Sequence, residues 1–216
     1  MTVRFPDEEF TKLKNIMLIY QWGHDIMMTK LNIIYEDFVN FQSKNPIENI
    51  RSRMKAPESI AQKLHSLGFD LTADSARENV KDIAGIRVIC TFAKDIYSLA
   101  EILRAMPETR VISEKDYVSN PKPSGYRGYH FIIEIPVYYS GNTENIPVEV
   151  QIRTSAMDFW ATLEHKVKYK YLEHIPQHLS DELVFCADKI AELDRRMFLI
   201  HDIISLINQD DSFGDL

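Results

Sequence analysis

No run of about 18 apolar residues occurs anywhere in the 216-residue chain, which leaves no candidate for a membrane-spanning helix. The opening segment, MTVRFPDEEFTKLKN, is polar and acidic where a secretory signal carries an apolar centre. Cysteine is scarce. Cys90 and Cys186 stand far apart in apolar surroundings, so the expectation is two buried thiols in a reducing cytosol rather than a disulfide framework. An excess of positive charge is missing as well: 25 Lys and Arg against 32 Asp and Glu give a net charge of −7. The surface as a whole is therefore no platform for DNA, and RNA binding is not indicated. Repeats and low-complexity tracts are absent, and no second domain is visible.

The positive charge that does exist is local. Arg51, Arg53, Lys55 and Lys63 face one acid, Glu58; Arg110, Lys115, Lys122 and Arg127 face Glu114 and Asp116. Two basic islands in an acidic chain point to small, highly charged anionic ligands, against the plainer alternative of solvated surface.

Periodicity predicts helices over residues 7–43, with Gly23 as a break, over 57–67 with Gly68 as C-cap, and over 94–106. Residues 81–92 contain GIRVICTF, which reads as a buried central strand. Further strands are expected at 109–117, 128–138 and 146–154, with a turn at Gly141-Asn142. Helices follow over 155–172 and 180–208. The last carries two apolar heptad columns, Leu183, Ile190, Met197, Ile204 and Cys186, Leu193, Ile200, Ile207. They suit packing on the chain's own body, the expectation here, or on a second subunit. The acidic tail, QDDSFGDL, reads as frayed.

Four segments carry candidate chemistry. In VEVQIRT (148–154), period-two alternation places Glu149, Gln151 and Arg153 on one face and Val148, Val150 and Ile152 on the other. A carboxylate there can hold Mg²⁺ or take a proton from a hydroxyl nucleophile. Asp82, at the mouth of the 81–92 segment, is the natural second carboxylate. Strict alternation sets Asp82 and Arg87 on opposite faces unless the strand bends, and Gly85 marks a bulge or a close approach. The segment KDYVSNPKPSGYRGYH (115–130) offers Lys115, Lys122 and Arg127 to phosphates, a flexible Ser124-Gly125 turn, an exposed Tyr126 ring to stack on a purine, and His130. In the first island, Ser59 and Lys63 share one helical face and suit a polyphosphate, while Arg53 can stack on a base. His24-Asp25 and His201-Asp202 resemble the His-Asp pair of metal phosphohydrolases, but the further ligands such a site needs are not there in matching order. His165 and Glu164 stay ambiguous.

Together SRMKAPESIAQKL (52–64), DIAGIRVICTF (82–92), KDYVSNPKPSGYRGYHFIIEIPV (115–137) and VEVQIRTSAMDFWATLEHKVKYK (148–170) resemble the synthetase domain of the RelA/SpoT family. The chain is similar to the stand-alone small alarmone synthetases, with NPIENIRSRMKAPESI and FWATLEHK nearest to RelP-type members. The resemblance implies an α/β (α+β) fold, a mixed β-sheet flanked by helices and similar to nucleotidyltransferases. One synthetase domain would then fill 1–216, with N-terminal helices in 1–45, a catalytic core in 46–172, and a C-terminal helix and tail in 173–216.

It also implies transfer of the β,γ-pyrophosphate of ATP to the 3′-hydroxyl of GDP or GTP, with AMP as co-product. Arg53 and Arg87 would sandwich adenine; Lys55, Ser59 and Lys63 would hold ATP phosphates. Asp82 and Glu149 would carry Mg²⁺, Glu149 would activate the 3′-hydroxyl, and Gln151 would support it. Tyr126 would stack on guanine, with Lys115, Lys122 and His130 at the acceptor's phosphates. Asp158 is expected to accept guanine N1–H and N2–H₂, and Ser124 stands where many relatives carry asparagine. A homotetramer in the cytoplasm is the family expectation. Two other classes compete: a catalytically silent nucleotide-binding or RNA-binding regulator, and a nucleotidyltransferase that releases pyrophosphate.

Overall fold

The alternation of VEVQIRT builds the middle of the sheet. The computed structural model describes residues 3–42, 44–170 and 176–211. Its elements are α1 (Asp7–Phe41), β1 (Ile47–Met54), α2 (Pro57–Leu67), α3 (Ala73–Asn79), β2 (Ala84–Cys90), α4 (Ala93–Ala105), β3 (Arg110–Asp116), β4 (Tyr129–Tyr139), β5 (Asn142–Thr154), α5 (Ser155–Lys170) and α6 (Gln177–Asp211). The strands form one mixed sheet in the order β1-β2-β5-β4-β3. β2 runs parallel to β5, and the other neighbours are antiparallel.

One face of this sheet is apolar. Ile86 and Val88 of β2, Phe131, Ile133 and Ile135 of β4, and Val148, Val150 and Ile152 of β5 are buried in a single core with residues from α1 to α4. The opposite face keeps the polar members of each alternation. This two-faced division follows from the two-residue period of a strand.

Several expectations need correction. β2 is buried, but the centre of the sheet is β5. β1 and the short α3 carry no strong periodicity and escaped the sequence reading. β1 is an edge strand with mostly exposed side chains and a register shift between Ile47 and Asn49. The hairpin turn sits one residue earlier than expected, at Ser140-Gly141, both with positive φ. Cys90 is buried as expected, but Cys186 is exposed. The helix expected to reach residue 172 is described only to Lys170, and residues 212–216 of the tail lie outside the described residues.

Gly23 does not break α1, which continues to Phe41. Its missing side chain serves packing instead, because a Cβ there would lie 2.9 Å from Cβ and Cγ2 of Ile146. Gly23→Ala is expected to destabilise the protein. Overpacking costs about 1–3 kcal/mol, against roughly 1 kcal/mol that alanine gains as a helix former. A thermal melt with a Tm at or above wild type would show that Ile146 gives way at no cost.

The heptad columns of α6 also sit differently from expectation. Met197, Ile204, Leu193, Ile200 and Ile207 are exposed, and Leu183 and Ile190 are half-buried. The inward stripe runs through Ala187, Asp194, Phe198 and His201, and it is set by specific partners. Thr154 Oγ1 donates to Asp194 Oδ2 at 2.8 Å, and the rings of Phe198 and His201 meet Phe92. Burial pushes the Asp194 carboxyl above its ordinary value, and the Thr154 hydrogen bond only partly opposes this.

A group with a raised folded-state pKa costs stability once pH exceeds that value, and costs nothing below its unfolded value. Asp194→Asn is therefore expected to raise the Tm near neutral pH by about 2–4 °C, with the gain fading as pH falls toward 4. Melts of both proteins between those limits test it; a gain that persists at low pH would assign the effect to something other than the charge.

Candidate active site

The polar face of the sheet can be read off its register. Arg53 of β1 pairs with Gly85, and Arg51 with Arg87. Across the parallel step, Gly85 pairs with Glu149 and Arg87 with Gln151. His130 of β4 pairs with Gln151 on one side and with Lys115 of β3 on the other. Each of these residues therefore shares a face with its partner, and one line of side chains crosses all five strands. Arg51, Ser52, Arg53, Gly85, Ile86, Arg87, Glu149 and Gln151 line a cleft of about 150 Å³ on that face.

Gly85 forms no bulge, since the pairing around it is regular on both sides. Its bare backbone is the floor of the cleft. The expected clash of geometry between Asp82 and Arg87 also dissolves. Asp82 lies in the turn before β2 begins at Ala84, so strand alternation does not govern it.

Asp82, in the turn that enters β2, is held by two lysines. Lys55 Nζ lies 2.8 Å from Oδ2, and Lys63 Nζ lies 2.7 Å from Oδ1. Burial pushes this carboxyl up, and the two ammonium groups outweigh burial and hold it below its ordinary value. Both lysines come from the first basic island. Lys55 precedes α2 and Lys63 is two turns along it, while Ser59 sits exposed in the first turn. α2 starts at Pro57 and stops at Gly68 in the left-handed conformation, as its end signals require. Its N-terminus, with a hydroxyl and two ammonium groups nearby, is a setting that attracts phosphate.

Glu149 stands at the centre of the face. Gln151 Nε2 donates to its Oε2 at 2.8 Å, and His130 Nδ1 lies 3.3 Å from its Oε1. Burial again pushes the carboxyl up. The imidazole and the amide outweigh it, and the nearby Asp82 charge opposes them, leaving Glu149 below its ordinary value. The Asp82 charge thus reaches Glu149 across the site. Each carboxylate oxygen spends one lone pair on its neighbour and keeps another. Hard oxygen donors of this kind fit Mg²⁺, which takes one or two protein carboxylates and completes its shell with phosphates and water.

The 115–130 segment differs most from expectation. Tyr126 was expected to expose its ring, but it is only 9% exposed. It lies in a second apolar cluster with Trp160, Ala161 and Ala187, beneath α5 and α6. Gly125 makes this possible. Its φ is +86°, and a Cβ would stand 2.6 Å from Cβ of Ala187, so only glycine permits both the turn and the approach of α6. Lys122 Nζ and the Arg153 guanidinium lie over the Tyr126 ring, 4.8 and 4.9 Å from its centroid. Lys122 also closes the turn around Ser124, its carbonyl accepting from Gly125 N at 2.8 Å. Lys115 is exposed at the end of β3. No reading of the sequence alone could bring α6 over this loop, because the contact joins residues far apart in the chain.

Asp158, one turn into α5, is only 8% exposed. Its Oδ1 accepts from Arg87 at 2.9 Å and from Arg153 at 3.1 Å, and Arg51 lies 3.9 Å from Oδ2. Its carboxylate thus faces guanidinium groups in this conformation. The structure brings Arg53, Arg87, Glu149, Gln151 and His130 to one face, and it joins Lys55, Lys63 and Asp82 in one cluster. Arg51 and Arg153 join the face without having been assigned a role. Arg153 was legible on the polar face through the alternation of β5, but its partners were not.

His24 bonds neighbouring Asp25 within α1, while His201 lies against Phe92. Among the described residues, no three His, Cys, Asp or Glu side chains gather to hold a metal ion. No described helix is long and apolar enough to cross a membrane.

Residues 52–174 match the model described as a region found in RelA/SpoT proteins. The GTP pyrophosphokinase YwaC of Bacillus subtilis is 43% identical over 85% of this chain and 88% of its own length. Among solved structures, small alarmone synthetase 1 from Bacillus subtilis bound to its product pppGpp superposes with a TM-score of 0.83 at 31% identity, covering 89% of this chain and 97% of that one. The same enzyme bound to AMPCPP gives a TM-score of 0.75 at 30% identity over 89% and 97%.

Proposed function

The chain belongs to the RelA/SpoT family, and from that premise we propose how its residues make (p)ppGpp. It is a GTP pyrophosphokinase of the small alarmone synthetase kind. The observation that carries the reading is one sheet face with Glu149 at its centre, the lysine-held Asp82 acting on its charge, and basic residues on both sides.

The wall formed by Arg53, Arg87, Lys55, Ser59 and Lys63 takes ATP. The two arginines bracket adenine over the bare floor at Gly85, and the lysines and the start of α2 take the phosphates. The wall formed by Lys115, Lys122, Ser124 and His130 takes the phosphates of GDP or GTP, with Tyr126 stacking on guanine once the loop opens. Asp158 reads the guanine edge if it exchanges an arginine for the base. Asp82 and Glu149 would hold Mg²⁺, which would supply charge neutralisation on the transferring phosphates.

The chain's own residues do the rest. Glu149, ionised across the neutral range, accepts the proton of the acceptor's 3′-hydroxyl as its oxygen bonds to the β-phosphorus of ATP. The bond from that phosphorus to the α–β bridging oxygen breaks, and AMP leaves. Alignment and charge neutralisation account for most of the catalysis such transfers need.

We assign the chain to the RelP-type members on NPIENIRSRMKAPESI and FWATLEHK, and to the cytoplasm, where its nucleotides are. The exposed Leu18, Ile33 and Val39 of α1 and Leu193, Met197 and Ile200 of α6 supply apolar area for a homotetramer. Light scattering on the purified protein tests the assembly. Product analysis tests the activity: ATP, GDP and Mg²⁺ should yield AMP and ppGpp. Pyrophosphate release would make the chain a nucleotidyltransferase, and nucleotide binding without turnover would make it a silent regulator.

A further inference from the structure

Five side chains close a ring of polar contacts around the centre of the polar face. Arg153 Nη2 donates to Gln151 Oε1 at 2.7 Å, and Gln151 Nε2 donates to Glu149 Oε2 at 2.8 Å. On the other arm, Arg153 Nε donates to the Tyr126 hydroxyl at 3.1 Å. That hydroxyl meets His130 Nε2 at 2.5 Å, and His130 Nδ1 stands 3.3 Å from Glu149 Oε1. Both arms start at Arg153 and end at Glu149.

We infer that Arg153 is a positioning residue for the pyrophosphate transfer, fixing through Gln151 on one arm and Tyr126 on the other the two groups that hold the Glu149 carboxylate. The inference rests on the reading of Glu149 as the reacting carboxylate.

The physical reason lies in which end of each partner Arg153 selects. A glutamine amide presents either its oxygen or its NH₂ to a neighbour. An arginine that donates to the oxygen turns the NH₂ toward Glu149; without it, the amide can flip and set oxygen against oxygen. A phenol has a single proton. With Arg153 donating to the Tyr126 oxygen, that proton is directed to His130 Nε2, which leaves the imidazole proton on Nδ1, facing Glu149.

Arg153 can do this because its own place is fixed. It is only 5% exposed, and its third direction, through Nη1, is spent on Asp158 at 3.1 Å. A planar guanidinium serves three partners in fixed directions, and a lysine ammonium on a flexible stem does not. The same ring links the acceptor loop to the reacting carboxylate. Arg153 lies over the Tyr126 ring as well as bonding its hydroxyl. Opening that ring to a guanine therefore loosens the Tyr126 arm and leaves the Gln151 arm to hold Glu149.

The test uses the full chain with Arg153→Lys, Tyr126→Phe and the double variant. Wild-type conversion of ATP and GDP to AMP and ppGpp is measured first, and its absence would sink the reading of function rather than this inference. Arg153→Lys is expected to lower kcat by about 10–100-fold with KM for both nucleotides within about threefold. Tyr126→Phe keeps the aromatic ring and removes only the hydroxyl. It is expected to lower kcat by a smaller factor at near-wild-type acceptor KM, and it keeps the test alive if Arg153→Lys does not fold.

Because both residues act within one ring, the double variant is expected to be no slower than about the poorer single one. Losses that multiply, a rise in KM at unchanged kcat, or unchanged kcat in both single variants would each overturn the inference.

Discussion

Glu149→Gln is expected to lower kcat by about 10²–10⁴-fold while leaving the fold in place. Glutamine matches glutamate in size and keeps a hydrogen-bonding group at the end of the chain. What it lacks is the capacity to take the 3′-hydroxyl proton and to offer charge to a cation. The site also shows why the substitution cannot be repaired locally. Gln151 donates to Glu149 Oε2, and His130 Nδ1 faces Oε1. An amide there must either turn an NH₂ group toward one of these donors or lose a contact.

Because the carboxylate is held below its ordinary value, by His130 and Gln151 against burial, it is fully ionised at neutral pH in wild type. The loss in Glu149→Gln should therefore appear at all pH values from about 6 to 8, with the Tm close to wild type. Steady-state kinetics with ATP and GDP, paired with a thermal melt, decide this. A variant that keeps a tenth of wild-type kcat would remove Glu149 from the role of base.

The second large effect is expected at Asp82. Lys55 and Lys63 both end on its carboxylate, at 2.8 and 2.7 Å. Asp82→Asn leaves two ammonium groups facing a neutral amide, so the pocket becomes more positive just where ATP phosphates are proposed to lie. Binding and chemistry should then separate. KM for ATP is expected to stay level or fall, while kcat drops by about 10²-fold or more, and the Mg²⁺ concentration needed for half-maximal rate should rise. An unchanged Mg²⁺ requirement would show that Asp82 serves only to hold the two lysines.

Both residues were named from sequence, and the reasons they were legible differ. Glu149 follows from the alternation of VEVQIRT, because a strand with one apolar face must turn Glu149, Gln151 and Arg153 the other way. Asp82 stood out as an acid at the mouth of an apolar segment, yet its relation to Arg87 looked contradictory until the structure placed it before the strand. The basic island at Arg51–Lys63 was legible as charge but not as the edge strand β1 followed by α2. An exposed edge strand rich in arginine has no apolar alternation to announce it.

The loop at Gly125 shows where the sequence runs out. Gly125 read as a flexible turn and Tyr126 as an open ring. In the structure, Gly125 is the place where α6 comes down on the loop, and Tyr126 is buried beneath it. The heptad columns of α6 misled for a related reason. The inward stripe of that helix is chosen by Thr154, Phe92 and the loop at Gly125, none of which can be seen in the helix's own periodicity.

By itself, then, the sequence determined the two faces of β5, the boundaries of α2 and the identities of the groups on that strand's polar face, because these depend on neighbours two to four residues away. Only the tertiary structure decided that Arg153 sits between Tyr126, Gln151 and Asp158, and that α6 closes over the loop at Gly125. Those contacts join parts of the chain that meet only when the sheet is assembled, and it is the buried partners found there, not the residue types, that set what each side chain can do.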